Sequence, residues 1–293
     1  MSPRKNKPPM LALSDVVERR DRFFYIGRLE DLPPNFQEYD SAHRHSYFAL
    51  FFFEKGEGIH TIDFQEFTIE PNSLFFLKPG QVHSWKFSNP VKGYALKISP
   101  EFYSERGETL SSLREFPFFS FAPGLSKIGI DDVSRLNSDF QRLLEEFVSD
   151  NDQKMLFALT QVALYQAKKE YARGFDARTD SGKSETVVSF QSLLEENFLR
   201  ERNTTFYSRK IGIAPNTLNR ICHESLGKSV KAVIHDRILL EIKRLLLHSN
   251  LNITQISYEL GFEDNAYFSR YFKSKSGISP EKFRESRTKN TTK

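Results

Sequence analysis

The strongest constraint in this 293-residue chain is an internal repeat near its C-terminal end. FYSRKIGIAPNTLNRICHESLGKS (206–229) aligns with QISYELGFEDNAYFSRYFKSKSGIS (255–279). Ser208, Gly212 and Ile213 match Ser257, Gly261 and Phe262 at an offset of 49. Leu218, Arg220, Ile221 and Gly227 match Phe268, Arg270, Tyr271 and Gly277 at an offset of 50, so the second copy has one more residue in its turn. In each copy a small residue lets two helices approach, and a glycine four residues on supplies the positive φ of a tight turn. Leu218, Ile221 and Cys222, and in the second copy Phe268, Tyr271 and Phe272, then anchor a second helix. This is the pattern of a helix-turn-helix, whose second helix enters the major groove of DNA.

The outward face of each second helix is polar. It carries Asn216, Asn219, Arg220 and His223 in the first copy, and Asn265, Ser269, Arg270 and Lys273 in the second. Arg can grip guanine O6 and N7, and Asn can pair with adenine N6 and N7. Lys273 and Arg209 suit phosphate clamping. The candidate DNA-contacting set is therefore Asn216, Thr217, Asn219, Arg220, Asn265, Ser269, Arg270, Lys273 and Arg209. Any exposed helix face is polar, so one copy alone would be ambiguous; two aligned copies favour DNA. Between them, residues 229–249 repeat apolar positions every three or four residues through Val233, Ile234, Ile238, Leu239, Ile242 and Leu245. A helix of ~20 residues is ~30 Å long, close to the ~34 Å of one DNA turn. Charge agrees: from Ser184 to Lys293 there are 18 Lys and Arg against 12 Asp and Glu, leaving 24 against 26 for the rest of the chain. A basic part joined to a slightly acidic one fits a nucleic-acid binder coupled to another function.

The chain is long enough for two or three domains. No apolar run reaches the ~18–20 residues that span a bilayer, so no membrane partner is expected. The start, MSPRKNKPPM, is basic and Pro-rich with no apolar stretch behind it, which predicts a loose arm over 1–20 and no secretory signal. The single cysteine, Cys222, suits a reducing cytoplasm. From His43 the texture is β, with aromatic runs broken by turn signals near residues 55–58, 63–66, 71–73 and 78–81. Amphipathic helices are expected over 133–150 and 153–172. They could complete the barrel core or form a dimer seam. Residues 173–185, RGFDARTDSGKSE, have linker composition.

Three histidines stand out in the β part. His43 and His45 lie two apart, so on a strand both face one side; His83 and Trp85 repeat that arrangement. Imidazoles converging inside a barrel could ligate a metal, hydrogen-bond a polar small molecule against Trp85, or simply pack.

This segment resembles a cupin jelly-roll, through His43-Arg44-His45 and Pro79-Gly80-Gln81-Val82-His83. Ala49 and Leu50 stand where the family's metal-ligating Glu would fall, and Phe87 replaces an Asn. The C-terminal part resembles the AraC/XylS group of bacterial transcription regulators. Its signature is matched by Ile256, Gly261, Phe262, Tyr267, Phe268, Arg270, Phe272, Lys273, Gly277, Ser279, Pro280, Phe283 and Arg284, with Ser257 in place of the usual Ala. In the first copy Ala214 stands where a Ser commonly caps the helix, at a cost of about 1 kcal/mol.

The resemblance implies an α+β multidomain chain: an N-terminal cupin-like β-barrel over 21–130 that binds a small-molecule effector, a sugar or related metabolite; a helical dimerisation region over 131–172; a linker over 173–185; and an all-α DNA-binding domain over 186–293 with helix-turn-helix motifs at about 204–227 and 253–277. It further implies a cytoplasmic homodimer that reads promoter DNA and acts, commonly as an activator, through RNA polymerase. The effector candidates are His43, His45, His83 and Trp85; no cofactor, resident metal or enzymatic activity is expected. The competing reading is a metal-binding cupin enzyme, an isomerase or dioxygenase, with a DNA-binding appendage.

Overall fold

The computed structural model describes residues 10–11, 13, 23–31, 42–106, 112–113, 116–119, 126–173 and 181–288. The chain divides into two compact units, one over residues 9–178 and one built on residues 179–293.

Among the described residues the first unit holds ten strands: β1 (Met10–Leu11), β2 (Phe24–Arg28), β3 (Arg44–His45), β4 (Phe48–Lys55), β5 (Gly58–Ile62), β6 (Gln65–Ile69), β7 (Ser73–Leu77), β8 (His83–Phe87), β9 (Lys92–Ile98) and β10 (Lys127–Gly129). A five-stranded antiparallel sheet runs β10-β7-β4-β9-β2, and a three-stranded antiparallel sheet runs β6-β5-β8. The central strand β4 reads FALFFFEK because both its faces are covered. Phe48, Leu50 and Phe52 join Leu74, Phe76, Leu96 and Ile98 on one face. Ala49, Phe51 and Phe53 join Phe75, Leu77 and Ala95 on the other, where Ile62, Ile69 and Trp85 of the smaller sheet meet them. This inner face is the barrel interior.

The outer face of the large sheet is covered by helices: α1 (Pro100–Ser104), α2 (Val133–Val148) and α3 (Gln153–Arg173). Leu136, Phe140, Leu143 and Phe147 of α2 and Leu156, Leu159, Ala163 and Leu164 of α3 enter the sheet's outer core, as their helical spacing predicts. Val148, Met155, Val162 and Tyr165 stay exposed.

The loose arm expected over residues 1–20 needs correction where it is described. β1 pairs in parallel with β3, setting Leu11 opposite His45, and Leu13 is buried in the inner core with Tyr47 and Trp85. An apolar side chain within a Pro-rich, basic stretch is thus part of the fold. The rest of that arm and residues 174–180 of the expected linker lie outside the described residues, while Arg173 closes α3 and Ser181 opens the next helix.

The described residues of the second unit form helices and their connections: α4 (Ser181–Asn197), α5 (Thr204–Ile211), α6 (Pro215–Leu226), α7 (Val230–His248), α8 (Ile253–Glu259), α9 (Asn265–Ser276) and α10 (Pro280–Thr288). The two repeat copies are α5–α6 and α8–α9, separated by the 19-residue α7. Asn203, Ser229, Asn252 and Asp264 cap α5, α7, α8 and α9 through side-chain oxygens, and Asn252 with Gln255 forms a capping box. Ala214 makes no side-chain cap and Pro215 opens α6 instead, which removes a donor that would lack a partner anyway.

The repeat glycines differ in one respect. Gly212 (φ +82) and Gly261 (φ +69) are both left-handed, but a Cβ at Gly212 meets nothing within 4 Å, whereas one at Gly261 falls 2.7 Å from the Leu199 carbonyl oxygen. Gly212→Ala should therefore cost only the conformational strain, about 1–2 kcal/mol, and Gly261→Ala clearly more. Urea unfolding of the two variants checks this ordering; equal losses would contradict it.

Candidate nucleic-acid interface and imidazole cluster

Each recognition helix is held by its apolar side and by one polar link to the spacer. Leu218, Ile221 and Cys222 of α6, and Phe268, Tyr271 and Phe272 of α9, are buried. The Asn219 side-chain oxygen accepts from the Val230 N–H, the first free donor of α7, at 3.2 Å. His235 Nδ1 on α7 lies 2.8 Å from the Tyr271 hydroxyl on α9. Both recognition helices are thus hydrogen-bonded to the same helix.

Of the candidate base and phosphate contacts, Asn216, Arg220, Arg270, Lys273 and Arg209 are exposed. Arg220 pairs with Glu224 at 3.0 Å and Arg270 approaches Asp264 at 3.6 Å. Exposed pairs of this kind are worth at most about 1 kcal/mol and are readily exchanged for a base or phosphate. Thr217 and Ser269 are half-buried. Asn219 and Asn265 are turned partly inward: Asn219 binds Val230, and the Asn265 amide donates to Thr254 Oγ1 at 3.1 Å. For these two, helical spacing alone could not separate an outward side chain from one folded onto its own motif. Sequence reasoning also passed over Tyr258, exposed on α8, and Tyr267, quoted for the signature but not as a contact, exposed at 63% and 51%.

In the first unit the structure brings His43, His45, His83 and Trp85 together in the barrel interior, all buried. His43 and His83 exchange backbone hydrogen bonds at 2.9 and 2.8 Å, and their rings lie 4.2 Å apart. His45 lies 5.1 Å and Trp85 5.0 Å from the His83 ring. Two further residues belong to the group. His60 is paired in register with Trp85 and sets Nε2 3.1 Å from His83 Nδ1. Lys97, on the inward face of β9, places Nζ 5.8 Å from the Tyr47 ring, which stacks on His45 at 4.1 Å. The signal for Lys97 was a lysine inside the apolar end of β9, after Tyr94, Ala95 and Leu96; that for His60 was its place inside GIHTI, but its partner depended on strand register.

Burial sets the charge state. It holds His45 down to about 3, against which its bond to the Tyr47 carbonyl works, while His43 and Lys97 add to it. Burial, reinforced by the neighbouring imidazoles, also keeps His60 and His83 well below the usual histidine range. Burial pulls Lys97 down to about 7. As to a metal, His60 and His83 already use one ring nitrogen each on the other, and among the described residues no group of three His, Cys, Asp or Glu side chains is placed to hold an ion. Ala49 and Leu50, where a cupin metal ligand would stand, are fully buried apolar residues.

A helical unit with paired recognition helices, in one chain with a β-barrel that encloses a polar cluster, defines a DNA-binding protein joined to a ligand-binding domain. The comparisons agree. Residues 35–167 match the AraC-like ligand binding domain and residues 207–286 match a helix-turn-helix domain. The transcriptional activator RhaS of Pectobacterium carotovorum is 23% identical over 83% of this chain and 86% of its own length. The regulator ExsA of Pseudomonas aeruginosa is 29% identical over 34% of this chain and 36% of its own. YfiF of Bacillus subtilis, an HTH-type transcriptional regulator, is 22% identical over 94% and 88%. The chain belongs to the AraC family: it is a DNA-binding transcription regulator with an N-terminal ligand-binding domain.

The imidazoles make stability depend on acid. His45 titrates near 6.5 when unfolded and near 3 when folded. The unfolded chain therefore takes up the proton first, and stability present above pH 6.5 is lost as pH falls toward 3. His60 and His83 act in the same direction. Thermal melting followed by Trp85 emission should show a Tm falling through this window, and more shallowly in His60→Phe. A flat profile would mean that the imidazoles carry their charge in the folded state.

Proposed function

We propose that the protein reads two adjacent major-groove segments of promoter DNA through α6 and α9, and that a small polar metabolite, a sugar or a relative of one, bound in the barrel interior controls this. The carrying observation is that both recognition helices are fixed to α7, whose 19 residues span ~28 Å, close to the ~34 Å of a DNA turn. Arg220, Arg270 and Asn216 read bases, with Thr217 and Ser269 beside them, and Lys273 and Arg209 hold phosphates. Asn219 and Asn265 place the recognition helices as well as lining them. His43, His45, His60, His83 and Trp85 meet the effector. The barrel occupies residues 21–130, helices 131–172 pair two copies through Val148, Met155, Val162 and Tyr165, and residues 173–185 join this part to the DNA-binding domain over 186–293.

The relatives support a regulator rather than an enzyme, with activation through RNA polymerase as its mode, since RhaS bears the name of an activator. Among the described residues no helix is long and apolar enough to cross a membrane, and a cytoplasmic location follows from DNA as the partner.

Arg270→Ala should weaken binding by about 1–3 kcal/mol at one base pair and relax the preference there. Lys273→Ala should weaken all sequences alike and reduce the salt dependence. Competition binding at fixed salt against a randomised operator library distinguishes them. An Arg270→Ala loss equal on every sequence would remove base reading from that residue.

A further inference from the structure

The barrel interior contains a lysine that no neighbouring carboxylate compensates. Lys97 is the one fully buried lysine among the described residues, at 2% exposure. Around it stand Tyr25, whose ring is 5.0 Å from Nζ, and Tyr47 at 5.8 Å, and its charge acts on the imidazoles of His45 and His83. Among the described residues no carboxylate forms an ion pair with it, although carboxylates do pair with Arg28, Lys127 and Arg173 elsewhere in the unit. An ammonium held away from water without a counter-charge is costly, and an anion brought by a ligand would relieve that cost.

The imidazoles specify the rest of the ligand. His45 Nδ1 donates to the Tyr47 carbonyl at 2.7 Å, so in the neutral ring its Nε2 is an acceptor, and that buried atom has no hydrogen-bond partner. His60 Nε2 and His83 Nδ1 share one hydrogen bond, so one ring donates and the other accepts. Whichever way it runs, the two outer nitrogens, His60 Nδ1 and His83 Nε2, present one donor and one acceptor. Both are buried and have no hydrogen-bond partner. The cluster thus offers two acceptors and one donor next to an ammonium. Hydroxyl groups satisfy the first set, because each can donate and accept; an oxyanion satisfies the second. Trp85 and Phe51, rings 4.7 Å apart, add an apolar wall.

Resting on the reading of the barrel as the effector site, we propose that the effector is a hydroxylated acid, its carboxylate or phosphate paired with Lys97 and its hydroxyls hydrogen-bonded to His45, His60 and His83. A neutral sugar would leave Lys97 uncompensated, and an acid without hydroxyls would leave the imidazoles unsatisfied.

Trp85 is the chain's single tryptophan and its ring lies 4.7 Å from His60, so its emission reports this site in the full-length protein. The test titrates D-gluconate against D-glucitol, D-glucuronate against D-glucose, and glucose 6-phosphate as the phosphate arm, at matched ionic strength. The expected result is a saturable change in emission with an acid, much weaker with its neutral partner, and weakened by about tenfold or more in Lys97→Met. That substitution keeps volume and removes the charge; Lys97→Gln is the second variant, and the comparison of acid with neutral partner needs no variant. A preference for gluconate and glucuronate identifies the anion as carboxylate, one for glucose 6-phosphate as phosphate. Equal responses to acid and neutral partner, or an acid response indifferent to both Lys97 variants, overturn the acid while leaving the barrel as effector site. An acid that raises Tm without moving Trp85 emission, or no response to any probe, overturns both.

Discussion

The DNA-binding unit depends on a buried ionic lock around α7. Arg237 Nε bonds Glu195 of α4 at 2.9 Å, its Nη1 reaches Glu241 at 2.9 Å, and Arg244 meets the same Glu241 at 3.2 Å. Burial pushes Glu241 up, but the two guanidinium groups outweigh it and hold the carboxylate below its usual range. Breaking one member of such a buried set leaves an uncompensated charge, costing about 3–5 kcal/mol. Arg237 also covers the Phe198 ring at 3.8 Å, and Arg202, a few residues on, covers Phe262 at 3.8 Å and donates to the Leu260 carbonyl beside the turn glycine of the second copy. Both recognition helices therefore inherit their separation from one rigid helix whose attachment is fixed by charge geometry as well as by apolar burial.

In the barrel unit the equivalent constraint is a sheet buried on both faces. The aromatic run of β4 fills two cores at once, which forces the helices onto one side and the smaller sheet onto the other. The polar cluster is enclosed as a consequence. Rings that would carry partial charge in water are held neutral by desolvation, and a lysine is drawn toward neutrality beside them. Enclosure of this kind leaves ring nitrogens of His45, His60 and His83 buried without hydrogen-bond partners.

Much of this was legible in the sequence for a local reason. Side chains at helical or strand spacing share a face whatever the rest of the chain does, so the repeat, the anchoring residues and the His43–His45 and His83–Trp85 pairs could be read directly. The residues that were missed or misjudged depend on other elements. His60 reaches His83 only through the β5–β8 register. Asn219 is occupied because α7 begins beside it. Leu13 is core because a short strand pairs with β3.

The sequence by itself determined that two helix-turn-helix motifs flank a spacer of fixed length and that an aromatic β-domain precedes them, because periodicity and glycine placement are local properties of the chain. Only the tertiary structure decided which polar side chains of the recognition helices remain available, and that four imidazoles and Lys97 share one interior. Those outcomes rest on strand register and on contacts between distant segments, where desolvation and hydrogen-bond geometry rather than residue type set the chemistry.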